Sequence, residues 1–399
     1  MKRSLLIICN SDLSREPRVI RQIIALKDEY DVHTLGAKPS SFNEIQHYNF
    51  VESNQKPKHW SYPAPIRKAY SGGLFIYERL KSLYPALYFE KDFWTADRKD
   101  TLAQLPKKDF DVIIAHHWDS LPLATTLSAS GKAKIIFNAH DYYPRQFEKN
   151  PNWVKHQKQL VEHVMNKHVP KCNLIFSAWT KIHDDFQKFY GVPSIIITNA
   201  TEYNELSPKL KTADDNKIKI IHHGIANSNR KIEKMIEVMD YLDDRFYLDL
   251  MVIPSSYEMD YFNMLKQMAS KNPRIQFIEP VPTREIPKRI NEYDIGLFLL
   301  PPNGFNPTYT LPNKLFEFIQ GRLACLVSPN IEMKMLVEDY DLGWVSEDYE
   351  PLSVANKIAK VSNDQLNEKK QNAHKNALQL AAEVNYRKIK DSVKEVINN

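Results

Sequence analysis

Short apolar runs alternate with longer amphipathic stretches along most of the chain. In the first half, the runs at 5–9, 32–35, 112–115, 134–137, 174–176 and 194–197 have strand length. Between them, 15–27, 121–128, 153–168 and 181–190 space their apolar residues as helices do; Val19, Ile20, Ile23, Ile24 and Leu26 form the first such stripe. The segment 40–105 interrupts the alternation and matches no simple unit. A polar stretch without periodicity follows at 201–216 and reads as a linker. The alternation then restarts, with strands expected at 218–221, 248–253, 275–278 and 295–300 and helices at 230–242, 257–270 and 286–292. Repeated strand–helix alternation predicts parallel sheets covered on both faces. We therefore expect an α/β fold of two doubly wound parallel-sheet domains, at 1–200 and 217–380, with a helical tail at 381–399. Two such domains would face each other across a cleft, a usual place for a ligand.

The unit around 293–328 is the most informative. After its strand comes a segment holding Pro301, Pro302, Gly304 and Pro307, which predicts an irregular loop. Pro312-Asn313 reads as a helix start, with Asn313 as N-cap and Lys314 as the first helical residue; Gly321 closes the helix. Loops that leave the carboxyl ends of strands hold the ligand in such sheets, so 301–313, with Tyr309 and Thr310, is a candidate binding loop. Lys314 puts a cation in a first turn, where the helix dipole disfavours it, and Glu317 follows on the face not needed for the core. An anion held by backbone amides and Lys314, with Glu317 on adjacent hydroxyls, accounts for both. A solvated acid beside an indifferent lysine is the alternative. The same breach recurs after the strand at 218–221. There Gly224 lies in a loop, Ser228 or Asn229 caps, and Arg230 and Lys231 fill the expected first turn. Two cationic helix starts at strand ends predict a multiply charged anion such as a diphosphate, against the alternative of a solvated basic face.

Composition narrows the classes. A chain of 399 residues exceeds one typical core, and 43% apolar with 26% charged residues is ordinary for a globular protein. Cys9, Cys172 and Cys325 each stand alone in or beside apolar runs, which is neither a disulfide framework nor a zinc pattern and predicts a reducing, cytoplasmic setting. No run approaches the ~20 apolar residues of a membrane span. A net charge of +5 is too mild to predict nucleic-acid binding. The 10 glycines form no Gly-x-Gly-x-x-Gly, and neither a P-loop nor a Gly-x-Ser-x-Gly elbow is present. His116, His117 and Asp119, and likewise His140 and Asp141, stand just past strands; each histidine alone is structural by default. No metal-ligand spacing occurs, and His156 and His163 lie too far apart on their expected helix to share an ion, so no metal is expected. Segment 59–98 interleaves aromatics such as Trp60, Tyr62, Tyr70 and Trp94 with Arg67, Lys68, Arg79 and Lys81. That mixture suits an anionic bilayer surface or stacking on sugar rings, the alternative being burial beneath the first domain.

Taken together, REPRVIRQIIAL, NAHDYYP, HHGIANSNRKIEKMIE and LPNKLFEFIQGRLACLVS are similar to the motifs of the GT-B retaining glycosyltransferases of family 4. The resemblance omits the 40–105 segment and weakens after about 350. It implies two Rossmann-like domains, a nucleotide-sugar donor held mainly by the second, an acceptor bound by the first, no metal or other cofactor, and a last helix that crosses back to the first domain. By the same resemblance, Glu317 holds ribose hydroxyls, Arg230 grips the diphosphate, and Asn313 and Lys314 approach phosphate and sugar. Gly224, Lys231, Tyr309 and Thr310 complete the implied donor site. His140 lies near the transferred sugar, and Asn10, Ser11, Asp12 and Asp141 lie on the acceptor side. Tyr309 stands where the family has a first glutamate, Asn10-Ser11 replace its glycine pair, and Ile225 replaces a basic residue. The implied reaction moves a sugar to an acceptor hydroxyl with retention, and the implied acceptor is a glycan or lipid-linked glycan of surface polysaccharide or glycolipid assembly. No carboxylate pair suited to double displacement is visible. Two other classes fit the same pattern: a non-catalytic sugar-nucleotide-binding or scaffold subunit, which binds donor without turnover, and an epimerase of the same architecture, which needs no acceptor.

Overall fold

The computed structural model describes residues 2–51, 93–105, 109–129, 131–255 and 257–398, together with Gly73, Ile76 and Leu83. Most of segment 59–98 lies outside the described residues, and so does the membrane contact expected of it. Of its aromatics, Phe93 is buried, with the Arg98 guanidinium 3.9 Å from its ring centroid. The chain divides into two compact units, Met1–Ile197 with Lys388–Asn399, and Thr198–Arg387.

Among the described residues of the first unit, β1 (Ser4–Ile8), β2 (Asp31–Gly36), β3 (Gln46–Asn49), β4 (Val112–His116), β5 (Lys134–Ala139), β6 (Leu174–Ser177) and β7 (Ser194–Ile196) form one parallel sheet. Their order is β3-β2-β1-β4-β5-β6-β7. Every residue of β1 and β4 is buried, which is why both read as apolar runs but for Ser4 and His116 at their ends. The chain winds outward from β1, then returns and winds the other way from β4. Loops after these two neighbours part toward opposite faces and leave a crevice at the carboxyl edge.

The second unit repeats the plan. Its sheet comprises β8 (Ile218–Ala226), β9 (Phe246–Pro254), β10 (Ile275–Phe277), β11 (Ile295–Phe298), β12 (Ala324–Val327) and β13 (Gly343–Val345), in the order β10-β9-β8-β11-β12-β13. The winding reverses between β8 and β11. Helix Asn313–Gln320 packs closely on β11, because Gly296 has no side chain: a Cβ there would lie 2.3 Å from Phe318 Cγ. At the other end of this sheet, Asp294 anchors a buried charge cluster. Lys370 Nζ donates to Asp294 Oδ1 (3.1 Å) and to the Tyr293 carbonyl (3.0 Å). Lys211 Nζ stands 3.4 Å from Asp294 Oδ2, and the Lys219 amide donates to that oxygen at 2.9 Å.

Several sequence expectations are corrected. Strand β3 lies inside the 40–105 segment; its residues are polar because an edge strand needs no second buried face. Strand β8 runs on to Ala226 instead of ending at 221, drawn out by a ladder to β9 that continues to Ala226↔Pro254. His222, His223 and Gly224 are thus strand residues. No helix begins at 230: Ser228–Arg230 is a 3-10 turn capped by the Asn227 side chain, and Lys231 is left-handed (φ 52°). A left-handed residue cannot propagate a helix, so the helix starts at Ile232 and ends at Glu237. The proline-rich loop contains a helical turn, Phe305–Tyr309, in which Pro307 is third, where its missing N–H breaks no internal bond. Asn313 is the first helical residue, not the cap; Pro312 takes that place without a side-chain bond. The expected helix at 153–168 breaks at Gln157 into Pro151–His156 and Lys158–His168. Among the described residues, no helix is long and apolar enough to cross a membrane.

Candidate functional site

At the winding reversal of the second unit, two cations converge on a glycine. Gly224 has φ +134°, and a Cβ built on it would stand 2.6 Å from Lys314 Cε, 2.8 Å from Lys314 Nζ and 3.6 Å from an Arg230 guanidinium nitrogen. Lys314 lies over the Phe298 ring at 5.2 Å, which supports the ammonium on an aromatic face. Neither cation has an ion pair or side-chain hydrogen bond among the described residues, and both are half-buried. Burial first, and then Arg230, hold the Lys314 ammonium down at about 7, while Glu317 acts in the opposite sense. Burial also lowers Arg230.

Two buried imidazoles lie beside them. His222 Nδ1–H donates to the Leu297 carbonyl at 2.9 Å, and its ring stacks on Phe298 (centroids 6.0 Å apart, planes 2° apart). Burial, then Lys314, brings His222 down to about 3, and burial puts His223 well below its ordinary value. Both are neutral at pH 7. Glu317 is only 4% exposed, so it is not a solvated acid; its Oε2 lies 3.4 Å from His223 Nε2. Close, partly desolvated cations with no anion between them are destabilising alone and become favourable when a di- or polyanion arrives.

Other expected donor-side residues lie differently. Lys231 is exposed, with its ammonium 3.6 Å from Glu233. Tyr309 and Thr310 are half-buried on the segment leading to Asn313, and the Tyr309 ring sits 4.9 Å from that of Phe305. Asn330 fixes this segment: its Nδ2 donates to the carbonyls of Leu300 (3.0 Å) and Pro307 (2.7 Å).

The winding reversal of the first unit carries a polar cluster. Asn10 Nδ2 donates to Asp119 Oδ2 at 2.6 Å, joining the loops after β1 and β4. Ser11 Oγ lies 3.1 Å from Cys9 Sγ. Asp12 serves the fold: its Oδ1 accepts from the Ser14 amide and hydroxyl at 3.2 and 2.6 Å. His140 follows the last residue of β5, with its Nε2 3.0 Å from His116 Nδ1. Asp141 accepts from Gln146 at 3.0 Å, and burial raises its carboxyl. Tyr143 Oη accepts the His140 backbone N–H (3.1 Å) and is hydrogen-bonded to His117 Nδ1 (3.1 Å). His117 has φ 62° and ψ 160°, a region nearly reserved for glycine, and its ring centroid lies 4.1 Å from that of His140. Cys9, Glu16 and His117 bring one ligand atom each to within 4.8 Å of one another, a grouping that sequence spacing alone does not reveal. It offers three donors where a closed zinc site takes four, and burial raises the Cys9 thiol to about 12, against the thiolate a metal requires.

No protein-family model matches the sequence, and no curated protein matches it by sequence. Solved structures do. Anabaena HepE in complex with UDP is similar with a TM-score of 0.68 at 14% identity, covering 98% of this chain and 100% of that one. HepE in complex with UDP-glucose gives 0.66 at 13%, covering 98% and 99%. Sucrose-phosphate synthase of Thermosynechococcus elongatus gives 0.72 at 9%, covering 100% of both chains. At these identities the likeness speaks for fold: the chain has the GT-B architecture of two Rossmann-like units.

Proposed function

We propose that this protein is a glycosyltransferase that moves a sugar from a nucleoside diphosphate to an acceptor hydroxyl, with retention. The observation that carries the reading is the convergence on Gly224 of Arg230 and Lys314, neither ion-paired among the described residues, at the edge where a doubly wound sheet takes its ligand. The complexes of structurally similar HepE with UDP and UDP-glucose support the same donor class. In this reading the two cations bind the diphosphate and stabilise the charge that develops on it as the sugar departs. Glu317 takes ribose hydroxyls, Asn313, Tyr309 and Thr310 border the donor, and His140 orients the sugar. Asn10, Ser11, Asp12 and Asp141 border the acceptor, a glycan or lipid-linked glycan of surface polysaccharide or glycolipid assembly on the cytoplasmic side. Attack comes from the leaving-group face, and no metal takes part. Segment 59–98 contacts the membrane that carries the acceptor.

The decisive experiment is a thermal-shift and calorimetric screen of nucleoside diphosphates and their sugars, since a ligand of the folded state raises the melting point whatever the acceptor. One nucleoside diphosphate should bind, and Arg230→Ala should weaken it by about 1.5–3 kcal/mol, the range for a charged hydrogen bond. Absence of any nucleotide binding, or an unchanged affinity in Arg230→Ala, overturns the reading. Sugar transfer with the matching donor should persist in excess chelator. Flotation with anionic liposomes, weakened when Arg67, Lys68, Arg79 and Lys81 become glutamate, tests the membrane contact.

A further inference from the structure

The first unit contains a chain of three side chains whose proton positions are fixed by one amide. Gln22 lies on helix Pro17–Leu26 and is buried, with its Oε1 2.8 Å from His116 Nε2. An amide oxygen only accepts, so His116 carries its proton on Nε2 and leaves Nδ1 as a bare lone pair. That Nδ1 stands 3.0 Å from His140 Nε2 and 2.9 Å from Asn138 Nδ2. Asn138 is itself oriented, because its Oδ1 accepts from Arg18 at 3.3 Å and its amino group therefore faces the two rings. Two bare ring nitrogens 3.0 Å apart would repel, so with His116 Nδ1 bare and shared with Asn138, the ring proton of His140 sits on Nε2 and points inward. The 3.1 Å approach of Asn138 Nδ2 to His140 Nε2 then meets an N–H and adds no second bond.

The consequence falls on the other nitrogen. His140 Nδ1 has no hydrogen-bond partner among the described residues, and the residue is half-buried at the carboxyl edge of β5. Its ring is held by His117 at 4.1 Å and its backbone N–H by Tyr143 Oη at 3.1 Å, so it has little freedom to turn over. We propose that Gln22 and His116 are positioning residues for His140, holding its Nε2–H inward so that the Nδ1 lone pair accepts a hydroxyl of a bound sugar. An amide suits this task better than a carboxylate. It sets the direction of the hydrogen bonds without adding a charge that would draw a second proton onto His116. Burial and the nearby Arg18 keep both rings neutral, so the direction persists. The identity of the accepted hydroxyl rests on the glycosyltransferase reading; the ring geometry does not.

Nitrogen NMR of histidine-labelled protein tests this, since the ring shifts separate a bare nitrogen from a protonated one, and His140→Gln assigns the signals. At pH 7.5 His140 should be the Nε2–H tautomer, and Gln22→Leu should convert it to a mixture of both. A wild-type His140 protonated on Nδ1 overturns the proposal, and so does a Gln22→Leu protein whose ring signals are unchanged. With donor and acceptor in hand, Gln22→Leu should lower kcat ~ten-fold, less than the roughly 10²–10⁴-fold of an acid or base itself because Gln22 acts through His116, with donor KM within about two-fold. A merely structural Gln22 would lower the melting point and leave the tautomer and kcat in place. Should Gln22→Leu not fold, the wild-type tautomer alone decides. Should no transfer reaction be found, the function reading fails while the tautomer measurement still stands or falls by itself.

Discussion

The ammonium of Lys314 occupies the space where a side chain on Gly224 would begin, 2.8 Å from the missing Cβ. Two residues 90 positions apart in sequence thus form one surface, and the backbone at 224 holds a conformation (φ +134°) that other residues rarely adopt.

Gly224→Ala therefore fails twice. The methyl group pushes the flexible end of Lys314 aside, and the backbone strain costs about 1–3 kcal/mol. The variant should fold with a lowered melting point and bind nucleoside diphosphate at least ~ten-fold more weakly, a loss of about 1.4 kcal/mol. Isothermal titration of both proteins with the nucleotide that shifts the wild type most is the measurement.

Lys314 also predicts a proton. Its folded value of about 7 lies below the unfolded value of 10.5, because burial and Arg230 oppose the charge. Below pH 7 both states are protonated, and the cost of the buried charge is fully present. As pH rises from 7 to 10.5 the folded chain releases that proton first, and stability rises. A bound diphosphate favours the ammonium, so binding at pH 8 should take up protons. Calorimetry in buffers of different ionisation enthalpy should show this uptake, and Lys314→Met should abolish it.

Four histidines, three buried and one half-buried, should make the fold acid-sensitive. His116, His140, His222 and His223 all have folded values below the unfolded value of 6.5, chiefly through burial. Below pH 6.5 the unfolded chain binds protons that the folded chain refuses, so stability falls with pH, each group adding a slope of up to about 1.4 kcal/mol per pH unit. Melting points at pH 7.5, 6.5, 5.5 and 4.5 should show little change in the first interval and a steep fall thereafter. His222→Phe, stacked on Phe298, should flatten the fall.

Much of this architecture was readable, and the misses share a cause. The strands β1, β4, β11 and β12 announce themselves because a strand covered on both faces is apolar along nearly all of its length. Polar β3 and the extension of β8 through His222-His223 depend on a neighbouring strand, which no local pattern records. Glu317 and Gln320 seem to offer a polar face by spacing alone, yet both are buried, because His223 lies against the first and the second bonds to the Asn204 amide and Ala377 carbonyl. Gln22 left a trace: it interrupts the apolar stripe of Val19, Ile23 and Leu26, and a polar residue there must find a partner inside.

The charge cluster at Asp294 predicts an asymmetry. Asp294→Ala leaves Lys211 and Lys370 buried without their shared partner and should cost about 3–5 kcal/mol. Lys370→Met removes a cation that burial already disfavours and should cost far less. Denaturant unfolding followed by the fluorescence of Trp344 on β13, with the other tryptophans replaced, would separate the two.

The assignment of Lys388–Asn399 to the first unit changes what a shortened chain would mean. Lys390 pairs at the surface with Glu29 at 2.8 Å, and Ile389, Val393 and Val396 of the same segment are buried. A premature stop or an exopeptidase acting just past Arg387 would strip the half of the molecule that is remote in sequence. The stretch Thr198–Arg387 would keep all of its own residues, so damage entering from the carboxyl side is felt first in the unit that holds His140.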